Sequence, residues 1–152
     1  MPLKNKSPII GFFRLPIGGH SALDVVTVHR EPFVLVVPGS HKLAKRKKVR
    51  LREVAGEDFV KYERTHAPGF HDLIFGMFRD ARIVPSVSQT AAELSMLISL
   101  VDAHMGVAIL PLSAVQHSVA SVIACDILDK IPMSEIGIAV SNNRISRRFT
   151  DC

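Results

Sequence analysis

A chain of 152 residues with a formal net charge of +5 has the length of one domain, able to bury about two-thirds of its unfolded surface. Its 47% apolar content is ordinary for a globule, and no apolar run approaches the roughly 20 residues needed to cross a bilayer. The basic N-terminal residues are followed by no export-signal core, because residues 9–13 are interrupted by Gly11 and followed at once by Arg14; the expectation is a cytoplasmic protein without membrane contact. Two cysteines, Cys125 in an apolar stretch and Cys152 at the end, make no disulfide framework. Neither stands at nucleophile or metal spacing from a histidine.

Residues 9–14 read as a short strand ended by the turn Pro16-Ile-Gly-Gly-His20. Residues 24–29 and 33–37 are strands with a bend at Glu31-Pro32, since proline cannot donate to a sheet ladder. Between His41 and Arg52 lie Lys42, Lys45, Arg46, Lys47, Lys48, Arg50 and Arg52, then a short helix at residues 51–54 and a strand at 59–62. A polar loop at 63–69 leads into a helix whose Phe70, Leu73, Ile74, Met77 and Phe78 follow i, i+3, i+4, i+7, i+8. After a strand at 84–88, polar Ser88, Gln89 and Thr90 mark the handover to a second helix. Thr90 and Glu93 stand at capping-box spacing, and Leu94, Leu97, Ile98 and Val101 recur at the helical period. Gly106 permits close backbone approach, and residues 107–110 form an apolar run suited to a strand covered on both faces. A short helix at 112–117 and strands at 121–126 and 137–141 complete the pattern. Alternating strands and helices predict an α/β fold, a doubly wound, mainly parallel sheet with Leu73, Ile74, Met77, Leu97 and Val101 facing it.

Four stretches carry a family resemblance: Ile9-Ile-Gly-Phe-Phe-Arg-Leu-Pro16, Arg30-Glu-Pro-Phe-Val-Leu-Val-Val-Pro-Gly-Ser-His-Lys-Leu-Ala44, Val49-Arg-Leu-Arg-Glu-Val54 and Leu100-Val-x-Ala-x-Met-Gly-Val-Ala-Ile-Leu-Pro111. In this order they resemble the effector-binding domain of LysR-type transcriptional regulators, from Ile9 to the C-terminus. The resemblance implies a partial type 2 periplasmic-binding-protein-like fold. Residues 1–32 would be a remnant of the first effector subdomain with the hinge, 33–134 the second subdomain, and 135–152 a return strand and the start of a C-terminal helix at Arg144–Phe149. It implies a regulatory domain rather than an enzyme, a small-molecule effector, and self-association as a dimer or larger. DNA contact would belong to a helix-turn-helix domain that this chain lacks. His104 stands where the family usually has glycine, at the left-handed exit from a helix.

The candidate chemistry is anion binding. Two helices begin just after the C-terminal ends of expected parallel strands, where unpartnered N–H groups carry partial positive charge. The first start offers Thr65, Pro68, Gly69 and Phe70, with Phe70 as an apolar wall; the second offers Ser88, Gln89 and Thr90. Ordinary helix capping is the alternative reading, above all for Thr90. Arg14, after a strand, is either an anion contact or an exposed strand-end charge. A carboxylate or other small anion is the expected ligand, with no cofactor. His66 and His71 lack converging metal ligands, Asp72, Asp80 and Glu93 form no acid–base pair, and Ser95 and Ser99 have no partner base. A solute-binding module of transport shares the expected fold. The basic run from Lys42 to Arg52 offers a nucleic-acid strip, or a solvated loop that blunts a sheet edge.

Overall fold

The computed structural model describes residues 10–15 and 24–140. Its elements run β1 (Ile10–Leu15), β2 (Asp24–Glu31), β3 (Phe33–Pro38), β4 (Lys48–Val49), β5 (Asp58–Tyr62), α1 (Pro68–Asp80), β6 (Ser86–Ala91), α2 (Leu94–Asp102), β7 (Ala108–Pro111), α3 (Leu112–Gln116), β8 (Val122–Ile127) and β9 (Ser134–Val140). Short 3-10 turns lie at Lys42–Lys45 and Leu51–Gly56. The chain divides into two units, one of Met1–Arg30 with Ser134–Cys152 and one of Glu31–Met133.

In the first unit, β9 lies between β1 and β2. It pairs antiparallel with β1, from Ile10 opposite Val140 to Leu15 opposite Glu135. Gly137 fits because it lacks a side chain: a Cβ there would come within 2.9 Å of Val25 Cγ1. The Arg30 guanidinium donates to Glu135 Oε2 at 2.8 Å. Residues 144–149, read as a helix start, and Cys152 fall outside the described residues.

The second unit is organised around β3, in which all six residues are buried. Side chains alternate across a strand, so Phe33, Leu35 and Val37 enter one core while Val34 and Val36 enter another. The first core holds Phe70, Ile74, Met77 and Phe78 of α1, with Leu73 packed at its margin; the second holds Leu97, Ile98 and Val101 of α2. The two helices therefore cover opposite faces. Phe59 from β5 anchors the first core, its ring 5.1 Å from that of Phe78 in an edge-on arrangement. Cys125 is buried in the same core, and burial pushes its thiol pKa up.

The expectation of a mainly parallel sheet meets a mixed one. Strands run in the order β4-β8-β3-β7, and a parallel bridge from Val107 to Phe59 continues the order through β5 to β6. β4 is parallel to β8 and β5 to β6, but β3 is antiparallel to both β7 and β8. The reason lies in the connections. β5, β6, β7 and β8 succeed one another through helices, which return a strand in the same direction. β3 follows β2 across Pro32 alone, so no crossover sets its direction.

Boundaries also differ at β6. Thr90 was expected to cap α2 together with Glu93, yet it sits inside the ladder opposite Lys61, with Ala91 opposite Tyr62. Glu93 is the N-cap, without a side-chain cap bond, and α2 starts at Leu94. Pairing with β5 takes up the backbone that a capping box would have needed. At the far end of α2, His104 adopts φ +63°, and the Met105 N–H reaches Leu100 O at 3.0 Å, a Schellman closure with histidine in the left-handed place. Gly106 follows at φ +153°, and a Cβ there would lie 2.7 Å from Asp58 O. That contact is what lets the Val107 N–H donate to Asp58 O and hold β7 against β5.

Candidate functional site

β5 and β6 are parallel neighbours, so the loops leaving their C-terminal ends emerge side by side, and the Glu63 N–H donates to Ala91 O at 2.8 Å just where they part. From that point one chain enters α1 on one face and the other enters α2 on the opposite face. Adjacent strands that feed opposite faces frame the crevice position at which open α/β sheets receive ligands. Neither helix start is closed by a side-chain cap, and Pro68 at the start of α1 has no N–H to satisfy. Both starts thus present backbone donors at one sheet edge.

The expected residues divide around this crevice. Thr65 is exposed in the β5–α1 turn, and Pro68 and Gly69 form the first turn of α1. Gln89 and Thr90 lie exposed on β6, paired with Val60 and Lys61. Phe70 departs from expectation: it is only 2% exposed, packed against Phe33 and Tyr62 with ring centroids 5.9 and 5.5 Å away, so its ring belongs to the core and is no open wall. The helical stripe that begins at Phe70 explains this, since its side chain points with Ile74 and Met77. Ser88 is exposed, but its hydroxyl donates to Met105 O at 2.8 Å and ties β6 to the exit of α2. Arg14 belongs to the first unit, where its guanidinium donates to Ser134 Oγ at 3.2 Å.

A polar chain that sequence reasoning missed fixes the β5–α1 loop. Arg64 grips Asp72 through two bonds of 3.0 Å. Asp72 also faces His71 Nδ1 at 3.1 Å, and His71 Nε2 meets Lys61 Nζ at 3.4 Å. With Asp72 accepting at Nδ1 and the Lys61 ammonium donating at Nε2, the neutral Nδ1–H tautomer satisfies both contacts. The His71 ring stacks on Phe75 at 4.4 Å. The Arg64 guanidinium, with a lesser contribution from His71, lowers the Asp72 carboxyl to about 2; the same pair raises Arg64. Arg64 and Asp72 are eight residues apart across a loop, a spacing with no sequence signature. The gap beneath this chain, lined by Lys61, Tyr62, His71 and Phe75, has a volume of about 10 Å³, room for about one water.

The basic run is partly spent on local pairs: Lys42 lies 3.5 Å from Glu57, and Arg46 bonds Glu53. His41 Nδ1 accepts from the Leu43 N–H, and its other nitrogen contacts Glu57 at 2.5 Å. β4 is a two-residue edge strand, a short edge of the kind that resists further pairing. Among the described residues, no group of three His, Cys, Asp or Glu side chains is placed to hold a metal, and no helix is long and apolar enough to cross a membrane.

Comparison with known proteins gives a consistent family. A model of the LysR substrate binding domain matches residues 10–152. The uncharacterized HTH-type transcriptional regulator YnfL of Escherichia coli K12 is 35% identical over 112 residues, covering 74% of this chain and 37% of the relative. The effector binding domain of QuiR in complex with shikimate superposes with a TM-score of 0.77 at 23% identity, over 98% of this chain and 71% of that one. The BenM effector binding domain with its effector benzoate gives 0.72 at 23% identity, over 88% and 60%. The two structures establish likeness of fold, the periplasmic-binding-protein-like α/β fold of LysR effector domains. The chain spans about a third to a half of the length of the first curated relatives it matches.

Proposed function

This chain belongs to the LysR substrate-binding domain family, a family of regulatory modules rather than enzymes, and on that premise we propose that it senses a small carboxylate at the crevice between the ends of β5 and β6. The observation that carries this reading is the convergence of two uncapped helix starts, of α1 and α2, at the edge where adjacent parallel strands part. Thr65, Pro68, Gly69 and Thr90 border it, with Gln89 one residue further down β6, while Ser88 is turned away toward Met105 at the exit of α2. Phe70 takes part through its backbone in the first turn of α1. Benzoate and shikimate, named with the BenM and QuiR domains, are both carboxylates, which favours the same ligand chemistry here.

Binding is weak, because the loops of the described crevice are mostly exposed and good pockets bury about 70–90% of a ligand. The polar chain from Lys61 to Arg64 serves to hold the β5–α1 loop in place for the anion. Residues 33–134 act as the second effector subdomain. The regulator's wider activity is proposed from the family: DNA contact through a helix-turn-helix domain, self-association as a dimer or larger, and action in the cytoplasm. In such a system a ligand acts only to the extent that it binds one arrangement better than another.

Calorimetric titration with benzoate and with shikimate tests the site. Thr65→Val and Thr90→Val are each expected to weaken binding several-fold. Binding that both substitutions leave unchanged contradicts the assignment.

A further inference from the structure

A groove with a volume of about 550 Å³ runs along α1, from Asp72 to Ala81, against residues 128–132 and Arg50 with Leu51. It lies wholly within the Glu31–Met133 unit and shares no residue with those bordering the crevice. Its volume falls within the roughly 300–1,000 Å³ typical of small-molecule sites.

Three features of the groove point to one kind of occupant. Its lining is mixed, and its floor carries apolar side chains: Leu73 and Ile131 are half-buried and Leu128 is 49% exposed, above the buried Leu51 and Met77. Its cations are available, since Arg50, Arg79 and Lys130 form no ion pair among the described residues. Its carboxylates are largely turned to protein donors: Asp72 receives Arg64, and Asp129 accepts the Leu51 N–H at 2.8 Å. Asp80 remains at the rim. The third feature is Gly76, in the middle of α1 and on the groove wall. Glycine inside a helix costs about 1 kcal/mol relative to alanine. Yet a Cβ at this position would meet only the Arg79 side chain, at an ordinary 3.5 Å. No packing contact requires glycine there; what its absent side chain leaves is room in the groove.

We propose that this groove is a second ligand site, for a small amphipathic carboxylate. A ring or branched apolar body lies on the Leu73–Leu128–Ile131 floor beside Gly76, and the carboxylate meets Arg79 and Lys130 at the rim, with Arg50 adding positive potential. A purely apolar occupant would leave three cations facing it, and a small inorganic anion would leave the floor uncovered.

The test uses the 152-residue chain and 4-phenylbutyrate as probe, followed by amide chemical shifts in a ¹⁵N–¹H titration. Shifts are expected to cluster at Leu73–Ala81 and Asp129–Ile131. The uncharged 4-phenylbutanamide should bind at least tenfold more weakly. The exposed double variant Arg79→Gln/Lys130→Gln should weaken binding of the carboxylate at least tenfold, and Gly76→Leu, a helix-favouring change that fills the groove, should abolish it. Equal affinity of the double variant and the parent overturns the proposal. So does an amide that binds as well as the acid, or a set of shifts confined to the Thr65–Gly69 loop and the start of α2.

Discussion

Gly106 is the position at which a single residue decides how two strands meet. Its φ of +153° and the 2.7 Å approach of a hypothetical Cβ to Asp58 O leave no place for a side chain. Gly106→Ala is expected to destabilise the domain by about 2–4 kcal/mol, combining backbone strain with overpacking, as read from urea denaturation. Asp72 offers a second test at this scale. Its carboxyl is lowered to about 2 by Arg64 and His71, from an ordinary 3.8. A carboxyl depressed in the folded state releases its proton more readily there, so its contribution is present above the ordinary value and is lost as pH falls from about 4 through 2. The side-chain carboxyl resonance of Asp72 should titrate near 2 in the parent chain, and Arg64→Gln should move that midpoint up toward the ordinary range. An unchanged midpoint in the variant means the bidentate pair is not the cause.

Among the elements, the two helices were legible because burial falls on one side of each. Phe70, Ile74, Met77 and Phe78 lie in one core, and Leu97, Ile98 and Val101 in the other, each set at the helical period. Met77, at 3% exposure, should cost about 2–5 kcal/mol when cut to alanine; a loss below 1 kcal/mol in chemical denaturation would show that the α1 stripe does not carry the core. The start of α2 was not legible. Thr90 and Glu93 have the spacing of a capping box, but the partner that claims Thr90 is Lys61, 29 residues earlier, and local spacing holds no trace of that pairing. The same limit hid the direction of β3, which depends on β7 and β8 from the far end of the chain. Glu31 shows a related effect. Read as part of a bend, it is 6% exposed, and its carboxylate accepts from the Ser113 N–H and hydroxyl at 2.5 and 2.8 Å, which closes the start of α3.

For the whole molecule, family and fold were carried by ordered motifs, and the proposed site rests on strand order alone. Strand–helix alternation pointed to β5 and β6 running parallel, and they pair side by side in that direction. The use of each side chain was not legible, because Phe70 is drawn into the core by its helix and Ser88 into a bond with Met105 O, and both are decisions of packing. The proposed site therefore relies mainly on backbone, the first turns of α1 and α2, beside the exposed Thr65 and Thr90. The most direct test of that account is an amide chemical-shift titration of this chain with benzoate. The account predicts the largest shifts at the unbonded first-turn amides Gly69 and Phe70 and, at the same ligand concentration, at Leu94, Ser95 and Met96. Benzoate that shifts only one of these two helix starts, or neither, contradicts it.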